Sequence, residues 1–202
     1  KIRHIKAQTP DRYEILYQQE DADPSAVLVD PVWVSGGEGR DGVHHVGCWD
    51  SDRDLWQLPP YLPSDPVVIA SADPSPSNFR ALQCWAYVEE TEYRYLLESY
   101  RRKMDAPSFL DWNHEQQTFT GIAEDWWQIS NDMGHPIQYW IVEANAAQKF
   151  ILQYDHFRRW ASTRGVELVP HYTHSKNKGD PKYGVQMLAP LYKAGRVRLP
   201  GK

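Results

Sequence analysis

The sequence predicts an α/β domain, a mixed β-sheet flanked by helices on both faces, preceded by an irregular N-terminal arm. Three observations carry that reading. Apolar runs of strand length recur at residues 66–72, 139–143 and 166–171. Amphipathic stretches of helical period separate the later runs, the alternation expected when helices cover a sheet. The supply of core residues is ample: 41% of the 202 residues are hydrophobic, with nine Trp, twelve Tyr and five Phe. That composition excludes a wholly disordered chain. No apolar run nears the roughly eighteen residues of a membrane-spanning helix, which excludes an integral membrane protein of that kind.

The elements follow in order. Pro66-Val67-Val68-Ile69-Ala70-Ser71-Ala72 is β-branched at first and is stopped by Asp73-Pro74-Ser75-Pro76, so it predicts a buried strand ending in a sharp turn. Ala81–Val88 and Tyr93–Tyr100 flank the charged turn Glu89-Glu90-Thr91-Glu92 and predict an antiparallel hairpin. Residues 118–133 place Phe119, Ile122, Trp126 and Ile129 at helical spacing, with Gly134 positioned to stop the helix. Tyr139-Trp140-Ile141-Val142-Glu143 predicts another buried strand. Ala146 to Thr163 predicts one long helix with Phe150, Ile151, Tyr154, Phe157 and Trp160 on one side, ended by Gly165. A strand over Val166–His171, a helix over Tyr183–Tyr192 and the segment Arg196–Leu199 complete the domain.

Residues 1–65 have the composition of an arm or linker, with a short helix expected over Asp11–Glu20, a glycine-rich loop at 35–42 and a proline-rich stretch at 58–63. No Gly-Lys-Ser/Thr follows those glycines, so they form no Walker phosphate loop. Cys48 and Cys84 have neither metal-ligand spacing nor the density of a disulfide framework, and a reducing compartment is expected. The chain opens Lys1-Ile2-Arg3-His4 without Met or a secretory pattern, which suggests a fragment or processed product. Trp126, Trp127, Trp140 and Trp160 fall at core spacing and read as packing residues.

Net charge of −5 argues against a nucleic-acid partner, but the charge is unevenly spread. Residues 1–148 hold 11 Lys and Arg against 24 Asp and Glu, whereas residues 149–202 hold 11 against three. A basic C-terminal quarter fits a polyanion-facing surface as well as it fits a solvated helix face.

Two acids terminate apolar strands that the topology would bring together, Asp73 and Glu143. An acid after an apolar run is costly unless something pairs with it. Open α/β sheets bind ligands outside the carboxyl ends of their strands. Two carboxylates meeting there would suit a pair of hard divalent ions, Mg²⁺ or Mn²⁺, and metal-assisted attack of water on a phosphodiester. Each acid also has a plainer reading. Asp73 before Pro74 could be a turn former, and Glu143 could bridge to Lys149 or cap the following helix. His171 is expected near the same edge, and Lys176, Lys178 and Lys182 on a phosphate-facing loop, with Lys193, Arg196 and Arg198 extending the basic surface. Ser75 and Ser77 lack a nucleophile elbow. The glycosidase reading of paired carboxylates has no sugar-cleft pattern behind it.

Ile141-Val142-Glu143-Ala144-Asn145-Ala146-Ala147-Gln148 resembles the strand-acid-x-Asn-x-x-Gln motif of phage large terminase nuclease domains. Val68-Ile69-Ala70-Ser71-Ala72-Asp73 is similar to their first catalytic strand, and His171-Tyr172-Thr173-His174-Ser175-Lys176-Asn177-Lys178 to their Thr-x-x-x-Lys loop. Val185-Gln186-Met187-Leu188 through Gly195-Arg196-Val197-Arg198-Leu199-Pro200 is similar to the closing helix and strand. The wording is most like that of actinobacterial, including mycobacterial, phage terminases. The resemblance implies an RNase H-like fold over 66–202, with 1–65 as the tail of a missing ATPase domain. It implies an Mg²⁺- or Mn²⁺-dependent endonuclease that cuts concatemeric double-stranded DNA during packaging, with Asp73 and Glu143 as catalytic metal ligands. It further implies partners in DNA, the ATPase domain, the small terminase subunit and the portal, in the host-cell cytoplasm. The family's third acid normally follows the last strand, and this sequence stops at Lys202; Asp180, the nearest acid, reads better as a helix cap. A branched-DNA resolvase and a non-catalytic DNA-docking or motor-coupling module are the alternatives.

Overall fold

The computed structural model describes residues 29–40, 42–74, 80–144, 150–172 and 187–201. The expected helix at 11–20, the turn residues Ser75 and Pro76, Asn145 of the quoted motif, and the start of the last helix at Tyr183 lie outside them.

The centre of the molecule is a seven-stranded sheet. Strand β4 (Val67–Pro74) leads into the hairpin β5 (Arg80–Val88) and β6 (Tyr93–Arg102). Strands β9 (Tyr139–Glu143), β10 (Glu167–His171), β11 (Val197–Pro200) and β3 (Trp49–Asp50) complete it. The order is β10-β9-β4-β5-β6-β11-β3, and β5 alone runs against the other six. The antiparallel hairpin is built onto one side of β4, and the helix-connected parallel strands onto the other. That is an RNase H-like mixed sheet, as expected. The parallel strands beside β4 must be reached by helical crossovers, because a parallel partner cannot be joined by a tight turn.

The pleat of β4 divides the sheet into two faces. Val68, Ala70 and Ala72 are buried on one, together with Leu82, Cys84 and Ala86 of β5 and Trp140 and Val142 of β9. Short helix α2 (Ala106–Phe109), helix α3 (Ile122–Asp132) and helix α5 (Asp155–Arg164) cover this face. Trp140 is the hub: its ring meets Phe109 at 5.6 Å, Trp126 at 6.2 Å, Phe157 at 5.8 Å and Trp160 at 5.6 Å. Edge-to-face contacts dominate, the geometry that aromatic quadrupoles favour. On the opposite face, helix α6 (Leu188–Lys193) leaves a groove of about 610 Å³ floored by Ile69, Ser71, Gln83, Trp85 and Ile141. Among the described residues no helix is long and apolar enough to cross a membrane.

Three expectations need correction. Residues 118–133 are not all helix: Thr118–Thr120 is strand β8, paired with β7 (Asp111–Asn113), and α3 begins only at Ile122. Gly121 between them has φ +104, and a Cβ there would lie 2.8 Å from the Phe109 carbonyl oxygen, so the helix cannot extend backwards through it. The buried face of α3 carries Ala123, Glu124, Trp126 and Ser130, while Ile129 is 38% exposed. Gly134 does stand just past the helix, with φ +82.

The single long helix is interrupted as well. Helix α4 (Phe150–Gln153) and α5 are separated by Tyr154, which is extended (φ −72, ψ 114). Ile151 and Phe157 are both buried. Six residues along an unbroken helix would turn them roughly 120° apart, at 3.6 residues per turn; the break lets both reach the core.

The third correction concerns the N-terminal arm. Its described part is knit into the domain. Helix α1 (Pro31–Ser35) is capped by Asp30, the two-residue strands β1 (Gly37–Glu38) and β2 (His44–His45) pair, and β3 joins the sheet beside β11. Arg53, only 4% exposed, explains why. Its guanidinium donates to the carbonyls of Gln57 (3.1 Å), Leu96 (2.9 Å) and Arg198 (3.0 Å), tying the segment to β6 and β11. Burial pulls the Arg53 pKa below its ordinary value, while neighbouring Asp50, at 3.6 Å, acts in the opposite sense. Cys48 and Cys84 are free and buried, and burial pushes both thiols up, Cys84 far above the usual range, so neither is a ready nucleophile.

Candidate active site at the carboxyl ends of the central strands

Strand register sets the site. The parallel pairing of β4 with β9 runs Ile69↔Tyr139, Ala70↔Trp140, Ser71↔Ile141, Ala72↔Val142. One residue beyond the last pair come Asp73 and Glu143, side by side on adjacent strands at the ordinary spacing of about 5 Å. The pairing of β10 with β9 ends at His171↔Glu143. Asp73, Glu143 and His171 therefore form one row across three neighbouring strands. Strands whose sequences lie seventy positions apart are thus neighbours in the sheet.

Alternation places this row on the groove face. Ser71 and Ile141, two residues earlier on each strand, floor the groove, whereas Ala72 and Val142 point into the buried core. Asp73 and His171 are exposed and Glu143 is half-buried. Both acids and their strands are held by backbone pairing on either side. The ladder is continued past β9 by the Ala144 amide donating to the His171 carbonyl at 2.7 Å. Asp73 and Glu143 each have interactions of their own, so neither is an isolated charge.

The donor chemistry fits a hard divalent cation. Carboxylate oxygens at an accessible edge leave room for water and for a substrate oxygen, and Mg²⁺ characteristically takes one or two carboxylates with waters rather than an all-protein cage. Among the described residues, no group of three or more His, Cys, Asp or Glu stands close enough to hold a metal alone.

The basic residues divide. Lys176, Lys178, Lys182 and Asp180 lie outside the described residues. Arg196 and Arg198 are not brought beside the acids. Arg198 pairs through β6 Tyr95 and β5 Ala86 with the level of Val68. That is three strands across and five residues short of Asp73, roughly 14 Å by 16 Å at ordinary strand spacing and rise. Arg196 donates to the Thr91 carbonyl at 2.7 Å, and its guanidinium lies 5.1 Å from the Tyr93 ring centre. Arg198 donates to the Gly47 carbonyl at 3.3 Å and approaches Asp50 at 4.0 Å. Both tie loops to the far half of the sheet. Lys193, the other basic residue expected there, lies 5.6 Å from the Trp33 ring centre.

Two features escaped sequence reading. Glu124, which nothing in the sequence singles out, is 5% exposed. It accepts from Trp160 Nε1 at 2.7 Å, Gln128 Nε2 at 2.8 Å and Arg164 Nε at 3.1 Å, with Arg164 Nη2 closing a bidentate ion pair. Burial pushes its carboxyl up, but the bonds from Arg164, Gln128 and Trp160 outweigh that and hold it below the ordinary value. The second is the run Arg101-Arg102-Lys103, which ends β6 at the same sheet edge as the acids; three successive cations were the available signal, hidden inside an acidic half of the chain.

No protein-family model matches the chain, nor does any curated protein. Solved structures of similar form do exist. The nuclease domain of the phage P22 large terminase is 12% identical, at a TM-score of 0.42 over 76% of this chain and 67% of that one. A large terminase from a thermophilic bacteriophage is 11% identical, at a TM-score of 0.38 over 75% of this chain. The chain spans about a third of that protein's length, 32%. The fowlpox virus Holliday junction resolvase is 14% identical, at a TM-score of 0.32 over 64% of this chain and 87% of that one. Likeness at this level assigns no residue a role; the roles rest on the row of side chains that the register of β4, β9 and β10 assembles.

Proposed function

We propose that this chain is the nuclease part of a viral DNA-packaging terminase, hydrolysing phosphodiester bonds of concatemeric double-stranded DNA with the help of Mg²⁺ or Mn²⁺. The observation that supports the proposal is the parallel register of β4 and β9, which ends at Ala72↔Val142, one residue before Asp73 and Glu143 on neighbouring strands. Two anions brought that close repel each other unless a cation or proton is shared between them. When bound, a pair of divalent ions stabilises charge on the phosphoryl and leaving oxygens and makes water more acidic. The chain's own contribution is preorganisation. Asp73 and Glu143 are fixed by the central ladder, so little reorganisation is needed as charge develops. His171 extends the row, and Lys176, Lys178 and Lys182, which follow β10 in the sequence, supply phosphate contacts. On this reading residues 1–65 lead from an ATPase domain in a longer protein, and the small terminase subunit and portal are its partners in the host-cell cytoplasm.

The test is cleavage of plasmid DNA in Mn²⁺ by the wild type, Asp73→Asn and Glu143→Gln. Cutting is expected to vanish in both variants while each stays folded, with the unfolding free energy of Asp73→Asn, at an exposed position, within about 0.5 kcal/mol of wild type. Unchanged cutting by either variant removes its assignment. Preference for a four-way junction over linear duplex would favour a resolvase, and calorimetry showing no Mn²⁺ binding a docking module.

A further inference from the structure

The row containing the acids does not stop at β4. Asp73 pairs with Ala81 on β5, and Ala81 pairs in turn with Arg101 on β6. Directly paired residues share a face, so Arg101 stands on the same face and at the same level as Asp73, two strand spacings or about 10 Å away. The register shift at Cys84/Trp85 adds a residue to β6 and fixes this parity for the hairpin's outer end. Its neighbour Arg102 lies against Tyr100, its guanidinium 5.6 Å from the ring centre. Arg102 and Tyr100 are an even number of residues apart and so share the other face, which leaves Arg101 to the acids' face.

The surroundings suit an extended anion. The next row down on this face is Ser71, Gln83 and Ser99, all polar. Ala81, the residue between Asp73 and Arg101, is exposed and the smallest that still has a side chain. Among the described residues, Asp73, Ala81 and Arg101 thus stand in one row on this face, with a carboxylate at one end and an arginine at the other. An arginine is the side chain whose fork of donors matches a phosphate with two parallel bonds.

We infer that Arg101 binds a backbone phosphate of the DNA strand next to the one under attack, setting the register of the strand over Asp73 and Glu143. This rests on the nuclease reading for the identity of the strand, but the contact itself is a property of binding. It assigns a role to a residue in the acidic half of the chain, outside the basic segment that charge alone points to.

The experiment is binding of a fluorescent 30-base-pair duplex across a salt series, with Asp73→Asn as the uncut background. Adding Arg101→Ala is expected to weaken binding about tenfold at low salt and to flatten the log–log salt slope by about 0.9, one phosphate contact. Arg101→Lys is expected to keep the slope while losing part of the affinity, because charge survives and the fork does not. An unchanged slope in Arg101→Ala, with an unchanged unfolding midpoint, overturns the inference. So does a Lys variant as impaired in slope as the Ala variant. The readout is independent of cleavage: a wild type that never cuts DNA sinks the nuclease reading, whereas only the salt series decides Arg101.

Discussion

Two acid centres lie on opposite faces of one sheet, and they are built on contrary principles. Glu124 is enclosed, with both oxygens committed to Arg164, Trp160 and Gln128. Asp73 and Glu143 sit at an accessible strand edge, side by side. A buried carboxylate with all its bonds made holds helices together and has nothing left to offer a ligand. Asp73 is exposed and Glu143 half-buried, so neither is enclosed as Glu124 is. The contrast sets an acid that ties helices together against acids that solvent reaches, within a single small domain.

The largest effect that sharpens this contrast is on stability. Removing one partner of a buried ion pair leaves the other charged and unsolvated, at a cost of about 3–5 kcal/mol. Glu124→Ala is expected to fall in that range by urea denaturation, since Arg164 then loses its carboxylate and Trp160 Nε1 its acceptor. Asp73→Asn, which keeps the side chain's shape at an exposed site, is expected to change stability by no more than about 0.5 kcal/mol. If the two cost the same, the division between the faces is wrong.

A smaller effect probes how Glu124 is delivered to its partners. The residue lies at the start of α3, and Gly121 sets the direction in which that helix leaves β8. Gly121→Ala must either leave φ +104 or drive a Cβ into the Phe109 and Leu110 backbone. A loss of about 1–3 kcal/mol is expected, the cost of one strained backbone position. Mn²⁺ affinity at the distant strand edge should hold steady; a matching loss there would couple the two faces after all.

What was legible in the sequence follows the same division. The strands of the centre announced themselves because β-branched runs bounded by turn residues have few other uses. The acids ending them stood out because an apolar run seldom ends in a carboxylate without cause. Hence Tyr139–Glu143 was placed to the residue, and its strand lies beside that of Val67–Pro74. Features that depend on partners far away in sequence were not legible. Glu124 takes its partners from 36 and 40 residues downstream. Arg53 holds the N-terminal segment by capturing three backbone carbonyls, and carbonyls carry no sequence signal. The break at Tyr154 was hidden because local periodicity continues through it, and only the burial of both Ile151 and Phe157 requires the turn. Arg196 and Arg198 were read by charge, while their geometry commits them to Thr91 and Gly47.

The smallest effect is the acid limb of the stability curve, and it tests the enclosed centre most directly. The Glu124 carboxyl in the folded protein lies below its ordinary value of 4.5, because the bonds from Arg164, Gln128 and Trp160 outweigh the desolvation that opposes them. In the window between the two values the unfolded chain binds the extra proton and the folded protein does not, so stability must rise with pH there. The contribution is complete above the unfolded value and is lost as pH falls through the folded one. Titrating wild type against Glu124→Gln reads it together with the change at neighbouring Asp125, whose carboxyl is held up by burial and by the Glu124 charge. Their difference in unfolding free energy should be flat from neutrality down to about pH 5 and shrink steadily below. A wild-type advantage over Glu124→Gln that persists undiminished into strong acid would mean that the carboxylate is not what holds Arg164 and Trp160 in place, and that packing of the two helices alone fixes that face.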